Sequence, residues 1–190
     1  MKNNILKIGL ALTMSLFFTS VGFAGDKKVN LDESTVNWRG HKVTGSHEGT
    51  IKLSEGVLTF DGNTLTGGTF TIDMTSINVT DLSAGQGKEK LEGHLKSDDF
   101  FGVANHKKAS FIITKVVGKD GNYRVYGDLT IKGQTLPKTF ELTVKDDMAT
   151  ASFKVDRTKY DIKYGSSSFF DNLKDKAIYD EFDLDVTLKF

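Results

Sequence analysis

From Thr35 onward this chain alternates apolar and polar residues one by one, and no other feature limits its fold as tightly. Successive side chains of a β-strand point to opposite faces, so strict alternation marks strands with one buried face. Phe70, Ile72 and Met74 alternate with Thr69, Thr71 and Asp73. Tyr123 through Ile131 and Phe140 through Val144 repeat the pattern, as do Ala151, Phe153 and Val155. The C-terminus shows it most cleanly: Phe182, Leu184, Val186, Leu188 and Phe190 stand against Asp183, Asp185, Thr187 and Lys189. Shorter strands are expected over 35–41, 50–53, 57–60 and 110–117. Turn residues sit between these runs at Ser54-Glu55-Gly56, Asp61-Gly62-Asn63, 118–122 and Asp146-Asp147. Asp61-Gly62 and Asp120-Gly121 are dipeptides that tight hairpins favour. Pro137 is the sole proline and falls near a strand start, where a missing N–H costs least.

Two stretches break the alternation. Residues 88–96, with Leu91 and Leu95 four apart, fit one short helix, and 165–176 is polar and irregular around Phe169-Phe170. The remainder amounts to eight to ten strands joined mostly by short turns, with no room for helical crossovers. The expected fold is therefore all-β and antiparallel, a sandwich or a closed barrel. A barrel is favoured, because nearly every strand is apolar on one face only and closure removes exposed edges. Eight strands enclose just enough space for packed side chains or one small ligand.

The N-terminus reads as an address. Lys2 and Lys7 precede an apolar run from Ile8 to Phe18, and Gly22-Phe23-Ala24 offers small residues at the positions a signal peptidase reads. Residues 1–24 are expected to be a cleaved signal peptide and 25–190 a single domain, periplasmic or secreted. No Cys follows the apolar run, which excludes an acyl-cysteine anchor. Exported, alternating and ending on Phe190, the chain also fits a small outer-membrane barrel, whose apolar face meets lipid. Against this, the alternating runs are mostly shorter than the ~9–11 residues a membrane strand needs. The polar faces would also crowd many charges into a narrow lumen.

The chemistry-bearing residues form no catalytic pattern. With no cysteine there is no disulfide framework, thiolate metal site or Cys nucleophile, and a formal charge of +0 argues against a nucleic-acid partner. His41, His47, His94 and His106 have no metal-ligand spacing of the H-E-x-x-H kind. The paired acids Asp98-Asp99, Asp146-Asp147 and Asp180-Glu181 are adjacent in sequence, so in a strand they face opposite ways. Gly85-Gln86-Gly87-Lys88 lacks a phosphate-loop context, and no G-x-S-x-G elbow surrounds Ser166-Ser167-Ser168. What remains is an apolar interior. Fourteen Phe against one Trp and five Tyr supply a large aromatic payload without hydrogen-bonding handles. This payload serves either a packed core or a sleeve around a long apolar ligand.

Several segments taken in order resemble the YceI family of lipocalin-like proteins: W-R-G-H-K-V-T-G-S-H-E-G at 38–49, F-T-I-D-M-T-S-I at 70–77, H-L-K-S-D-D-F-F at 94–101, L-T-I-K-G at 129–133 and D-R-T-K-Y-D-I at 156–162. The resemblance runs from about Val29 to Phe190. It implies an extended antiparallel eight-stranded barrel around an elongated pore that holds polyisoprenoids, isoprenoid quinones or similar amphiphiles, in a periplasmic protein. Two departures stand out: Asn105-His106-Lys107-Lys108 lacks the Tyr-Pro or His-Pro step common after the F-F, and Phe169-Phe170 lies outside the matching segments.

The expected protein is thus a non-enzymatic carrier with no cofactor beyond its lipid. Trp38, Phe60, Phe70, Ile72, Phe111, Ile113, Leu129, Phe140, Leu142, Phe153 and Val155 are the candidates for its lining, with plain core packing as their alternative role. His94, Ser97, Arg157 and Tyr160 are the candidates for a polar or pyrophosphate head, since Arg offers a forked donor set. Their alternative is to anchor loops, Arg157 pairing locally with Asp156. Competing readings are an enzyme built on the four histidines and a filled-barrel stress or adhesion protein. Transient membrane contact and a homodimer are compatible partners, though no residue points to the dimer.

Overall fold

The computed structural model describes residues 24–190. The leader expected over 1–24 lies outside the described residues, Ala24 excepted. The elements in chain order are β1 (Ala24–Lys28), β2 (Asn30–Lys42), β3 (Gly45–Asp61), β4 (Thr64–Val79), α1 (Lys88–Lys96), β5 (Lys108–Lys119), β6 (Asn122–Ile131), β7 (Gln134–Lys145), β8 (Met148–Asp156) and β9 (Ile178–Lys189). Every pairing is antiparallel, in the order β1-β3-β2-β9-β8-β7-β6-β5-β4, and a further β3–β4 pairing closes the ring. β1 and β2 lie end to end along one edge of β3: β1 opposes Val57–Asp61 and β2 opposes Gly45–Ile51. They fill one position between them, so the barrel is eight-stranded, all-β and antiparallel with one short helix, as the alternation and the resemblance imply.

Local sequence explains the hairpins. Both central residues of the β5–β6 turn, Asp120 and Gly121, and of the β6–β7 turn, Lys132 and Gly133, have positive φ. This is the geometry that two-residue hairpins demand and that Gly supplies without strain. Ser54-Glu55-Gly56 behaves differently from its expected role as a turn. β3 runs straight through it, with a register shift against β4 between Leu53 and Glu55. The bulge absorbs an extra residue and bends the strand. Gly56 lies there because Val29 packs against its backbone and donates its N–H to the Gly56 carbonyl at 2.9 Å. Bulges of this kind also explain why simple alternation underestimates strand length: β3 and β4 reach 17 and 16 residues. At ~3.3 Å per residue these strands span roughly 50 Å of contour, giving an elongated barrel.

The apolar faces turn inward and the charged faces outward. Leu58, Leu65, Val125 and Val155 are almost fully buried, whereas the exposed outer wall carries the Arg39–Glu48 pair at 2.5 Å and the Arg124–Glu141 pair at 2.6 Å. An outer-membrane barrel has the reverse polarity. Short turns close one end, where Phe60, Leu58, Leu65, Tyr123 and Phe190 are packed. The opposite end carries the two long connections, 80–107 with α1 and 157–177. One wall joint is unlike the others. β6 and β7 pair through ten residues each and β8 and β9 through nine, but β7 and β8 pair only at Thr143–Thr150, Val144–Ala149 and Lys145–Met148. Beyond that, β7 and β8 face each other without a ladder, and Pro137 lies in this unladdered run of β7.

Candidate ligand-binding pore

The inward faces do not fill the barrel. Two chambers lie along its axis, one of about 140 Å³ toward the helix end and one of about 100 Å³ beyond it. Val36, Ile72, Leu129 and Leu184 line both, so the chambers form one passage with a waist. Phe70, Phe111, Ile113, Phe140, Leu142 and Phe153 wall the inner chamber. Phe70, Phe140 and Phe153 are only half-buried although they face inward, as expected of side chains beside empty space. The Phe140 and Phe153 rings stack at 4.3 Å and 8°, spanning the β7–β8 joint where backbone pairing stops. Lys138, also in the inner wall, crosses the same joint and donates to the Lys154 carbonyl.

The L-K-S-D-D-F-F segment covers the helix end. α1 ends at Lys96, and Ser97 caps it by donating its Oγ–H to the His94 carbonyl at 2.8 Å. The chain then folds back so that Phe100 and Phe101 line the outer chamber together with Leu95. Phe100 sits 5.0 Å from the His94 ring and 5.9 Å from Tyr164, and the Arg157 guanidinium lies over it at 5.5 Å.

Arg157 holds the second covering segment. It is 3% exposed and donates to the carbonyls of Ile162 at 2.8 Å and of Tyr179 and Ile178 at 3.0 Å. Burial pushes its pKa down, and the charges of Asp180 and Asp156 push it back up. Burial also raises Asp180, but hydrogen bonds from Ser166 and Ser168 and the Arg157 charge outweigh that and hold it below the ordinary carboxylate range. The fork therefore ties the 157–162 turn to the start of β9 while still forming part of the outer chamber's wall.

Family comparison agrees with this architecture, because residues 28–190 match the family model for the YceI-like domain. The chain belongs to the YceI family. Protein YceI of Salmonella newport is 29% identical over 144 residues, covering 74% of this chain and 72% of that protein. BcnA of Burkholderia cenocepacia superposes with a TM-score of 0.67 at 21% identity, over 84% of this chain and 98% of that one. A polyisoprenoid binding domain from Saccharophagus degradans superposes with a TM-score of 0.56 at 15% identity, over 85% and 95% of the two chains. At such identities the structural likeness is one of fold.

Within this YceI barrel the expected lining residues divide by depth. Trp38, Ile72 and Leu129 reach the outer chamber, and Phe70, Ile72, Phe111, Ile113, Leu129, Phe140, Leu142 and Phe153 the inner one. Phe60 and Val155 line neither. Phe60 packs on Phe190 at 5.6 Å in the closed end, with the Lys27 ammonium above both rings, and Val155 is a core residue at 1% exposure. Of the expected head-group residues, only Arg157 borders a chamber. His94 lies behind Phe100 with a buried Nε2 that has no hydrogen-bond partner, Ser97 caps α1, and Tyr160 is buried, which raises its phenol pKa. Leu184 and Val186 complete the wall on β9, a strand whose inward face was evident from alternation. Phe100, Phe101 and Lys138 line the chambers although periodicity did not assign them: two lie in a loop, and the third occupies an apolar position of β7.

The histidines are dispersed. His41 Nε2 meets Asp183 at 2.6 Å on the β2–β9 wall, and His47 Nδ1 meets Asp81 at 2.8 Å. His106 lies beside the β6–β7 turn at Gly133, and His94 packs under the lid.

Proposed function

We propose that this protein is an exported, non-enzymatic carrier that holds a long isoprenoid or similar amphiphilic lipid in its barrel, for transport or storage. The observation that carries the reading is the waisted apolar passage, closed at one end by packed side chains and covered at the other by two loops. Its walls offer few hydrogen-bonding groups, so the occupant must be recognised by apolar burial and shape. Each methylene removed from water contributes about 0.8 kcal/mol, or about 4 kcal/mol for a five-carbon isoprene unit before ordering costs. In its present form each chamber accommodates little: a cavity of about 150 Å³ elsewhere holds one benzene. A longer chain needs the lining to move, and Met74 in the outer chamber is the type of side chain that adapts most readily. The Saccharophagus domain's described polyisoprenoid binding supports the ligand class. Export rests on the leader pattern of residues 1–24.

The same end of the barrel supports a transient contact with a membrane. Tyr164, Phe169 and Phe170 on the 157–177 connection and Tyr179 at the start of β9 are each about half exposed beside the covered mouth. Exposed aromatics at a pore mouth suit a bilayer interface, from which a lipid would be collected. The deciding experiment is native mass spectrometry of the purified protein followed by solvent extraction. A ligand-loaded mass, or uptake of added polyprenyl phosphate or quinone, is expected. Recovery of apo protein alone that takes up neither lipid would overturn the carrier reading.

A further inference from the structure

The β7–β8 joint has a second property besides its short ladder. Lys138 lies among the apolar side chains of the inner chamber, yet its ammonium is positioned in the gap between the strands. It donates to the Lys154 carbonyl, lies 5.7 Å from the centre of the Phe153 ring, and among the described residues pairs with no carboxylate. Burial lowers its pKa; Glu181 and Asp156 act in the opposite direction at longer range, and Lys159 adds to the lowering. Its stem lies in the apolar wall while the ammonium, at the exposed side of the gap, is open to an anion, a stronger partner than a carbonyl. Opening the wall here also breaks few backbone hydrogen bonds, because β7 and β8 share only three residue pairs. The next shortest ladder, between β4 and β5, has five residue pairs.

We propose that the unladdered β7–β8 joint is a lateral binding site for an anionic head, a phosphate or carboxylate, with the Lys138 ammonium as its counter-ion and the lipid tail in the two chambers. The site deepens the carrier reading and rests on it. It places the head at the side of the barrel, between β7 and β8. Of the cations near the aromatic mouth, Arg157 already has three donors on backbone carbonyls, and Lys163 pairs with Asp161 at 2.8 Å. When a head arrives, the ammonium exchanges the Lys154 carbonyl for an oxyanion, a stronger, charge-assisted partner.

The test compares geranylgeranyl phosphate and palmitate with neutral geranylgeraniol, binding each to the purified protein and to Lys138→Gln. The variant is expected to lose tenfold or more in affinity for at least one anion and to keep its affinity for the alcohol within twofold. Equal losses for all three ligands, or no loss for either anion, would overturn the site. A second measurement needs no variant. Either anion should slow acetylation of Lys138 at least fivefold, with Lys163 unchanged and geranylgeraniol giving less protection; protection of Lys163 instead would place the head at the mouth and refute the proposal. If the unaltered protein binds none of the three, the carrier reading itself fails, which is distinguishable from binding that ignores Lys138.

Discussion

At Gly127 on β6, an added Cβ would stand 2.5 Å from the Ile112 carbonyl oxygen and closer still to the tip of the Phe111 ring. Neither neighbour can yield cheaply, since one is backbone and the other walls the inner chamber. Gly127→Ala is therefore expected to cost about 1–3 kcal/mol, as overpacking does, read as a lower urea midpoint at unchanged slope. In sequence, Gly127 was simply one inward position in an alternating run; the close approach of Phe111 that requires a glycine is a relation between strands. Asp183 makes a different prediction. The His41 hydrogen bond, against a smaller effect of burial and with help from Lys154, holds its pKa below the ordinary 3.8. The unfolded chain then binds more protons than the folded one between the two pKa values. The contribution is complete above the unfolded value and is lost as pH falls through the folded one. Asp183→Asn should flatten the fall of stability below about pH 4, measured by denaturant titration at several pH values. A parallel fall in variant and parent would show that the His41 pair carries no such linkage.

Elements were legible in proportion to how local their cause is. β6 and β9 were visible because their alternation is uninterrupted, and α1 because Leu91 and Leu95 fall four apart within an otherwise polar stretch. β3 was seen as two strands, because a bulge and a turn look alike in sequence when both contain Ser, Glu and Gly; only the Val29 contact decides between them. The 157–177 connection was the least legible. Its order comes from Arg157 bonding to the Ile162 carbonyl in its own turn and to the distant Ile178 and Tyr179 carbonyls, while sequence offered loop anchoring only as an alternative to head-group binding. That anchoring leaves Phe169 and Phe170 outside the packed loop, half exposed. Exchanging both for Ser should reduce co-sedimentation with anionic lipid vesicles severalfold and leave uptake of a soluble short-chain ligand unchanged. Undiminished co-sedimentation would separate this loop from membrane contact.

For the molecule as a whole, an antiparallel fold, with a barrel favoured over a sandwich, followed from one-sided strands and short turns, and the count of eight strands from the family resemblance, but its hollowness did not. Fourteen Phe residues fit a packed core and a pore equally well. The distinction lies in how rings from non-adjacent strands meet around Ile72 and Leu129, the shared waist of the two chambers. Ile72→Trp exploits it. In a filled core the extra ring would cost about 1–3 kcal/mol. In this barrel the chambers receive it, so stability should change by less than about 1 kcal/mol while lipid uptake falls at least tenfold, read by thermal unfolding and native mass spectrometry together. The short β7–β8 ladder has a further consequence, for solubility. Two strand edges without a ladder between them are templates onto which another chain can add, the start of edge-to-edge aggregation. Pro137, which cannot donate an N–H, and Lys138, which would bury its charge beneath an added strand, occupy this stretch of β7. The residues beside the proposed head site would thereby keep this edge from accepting a strand of another molecule.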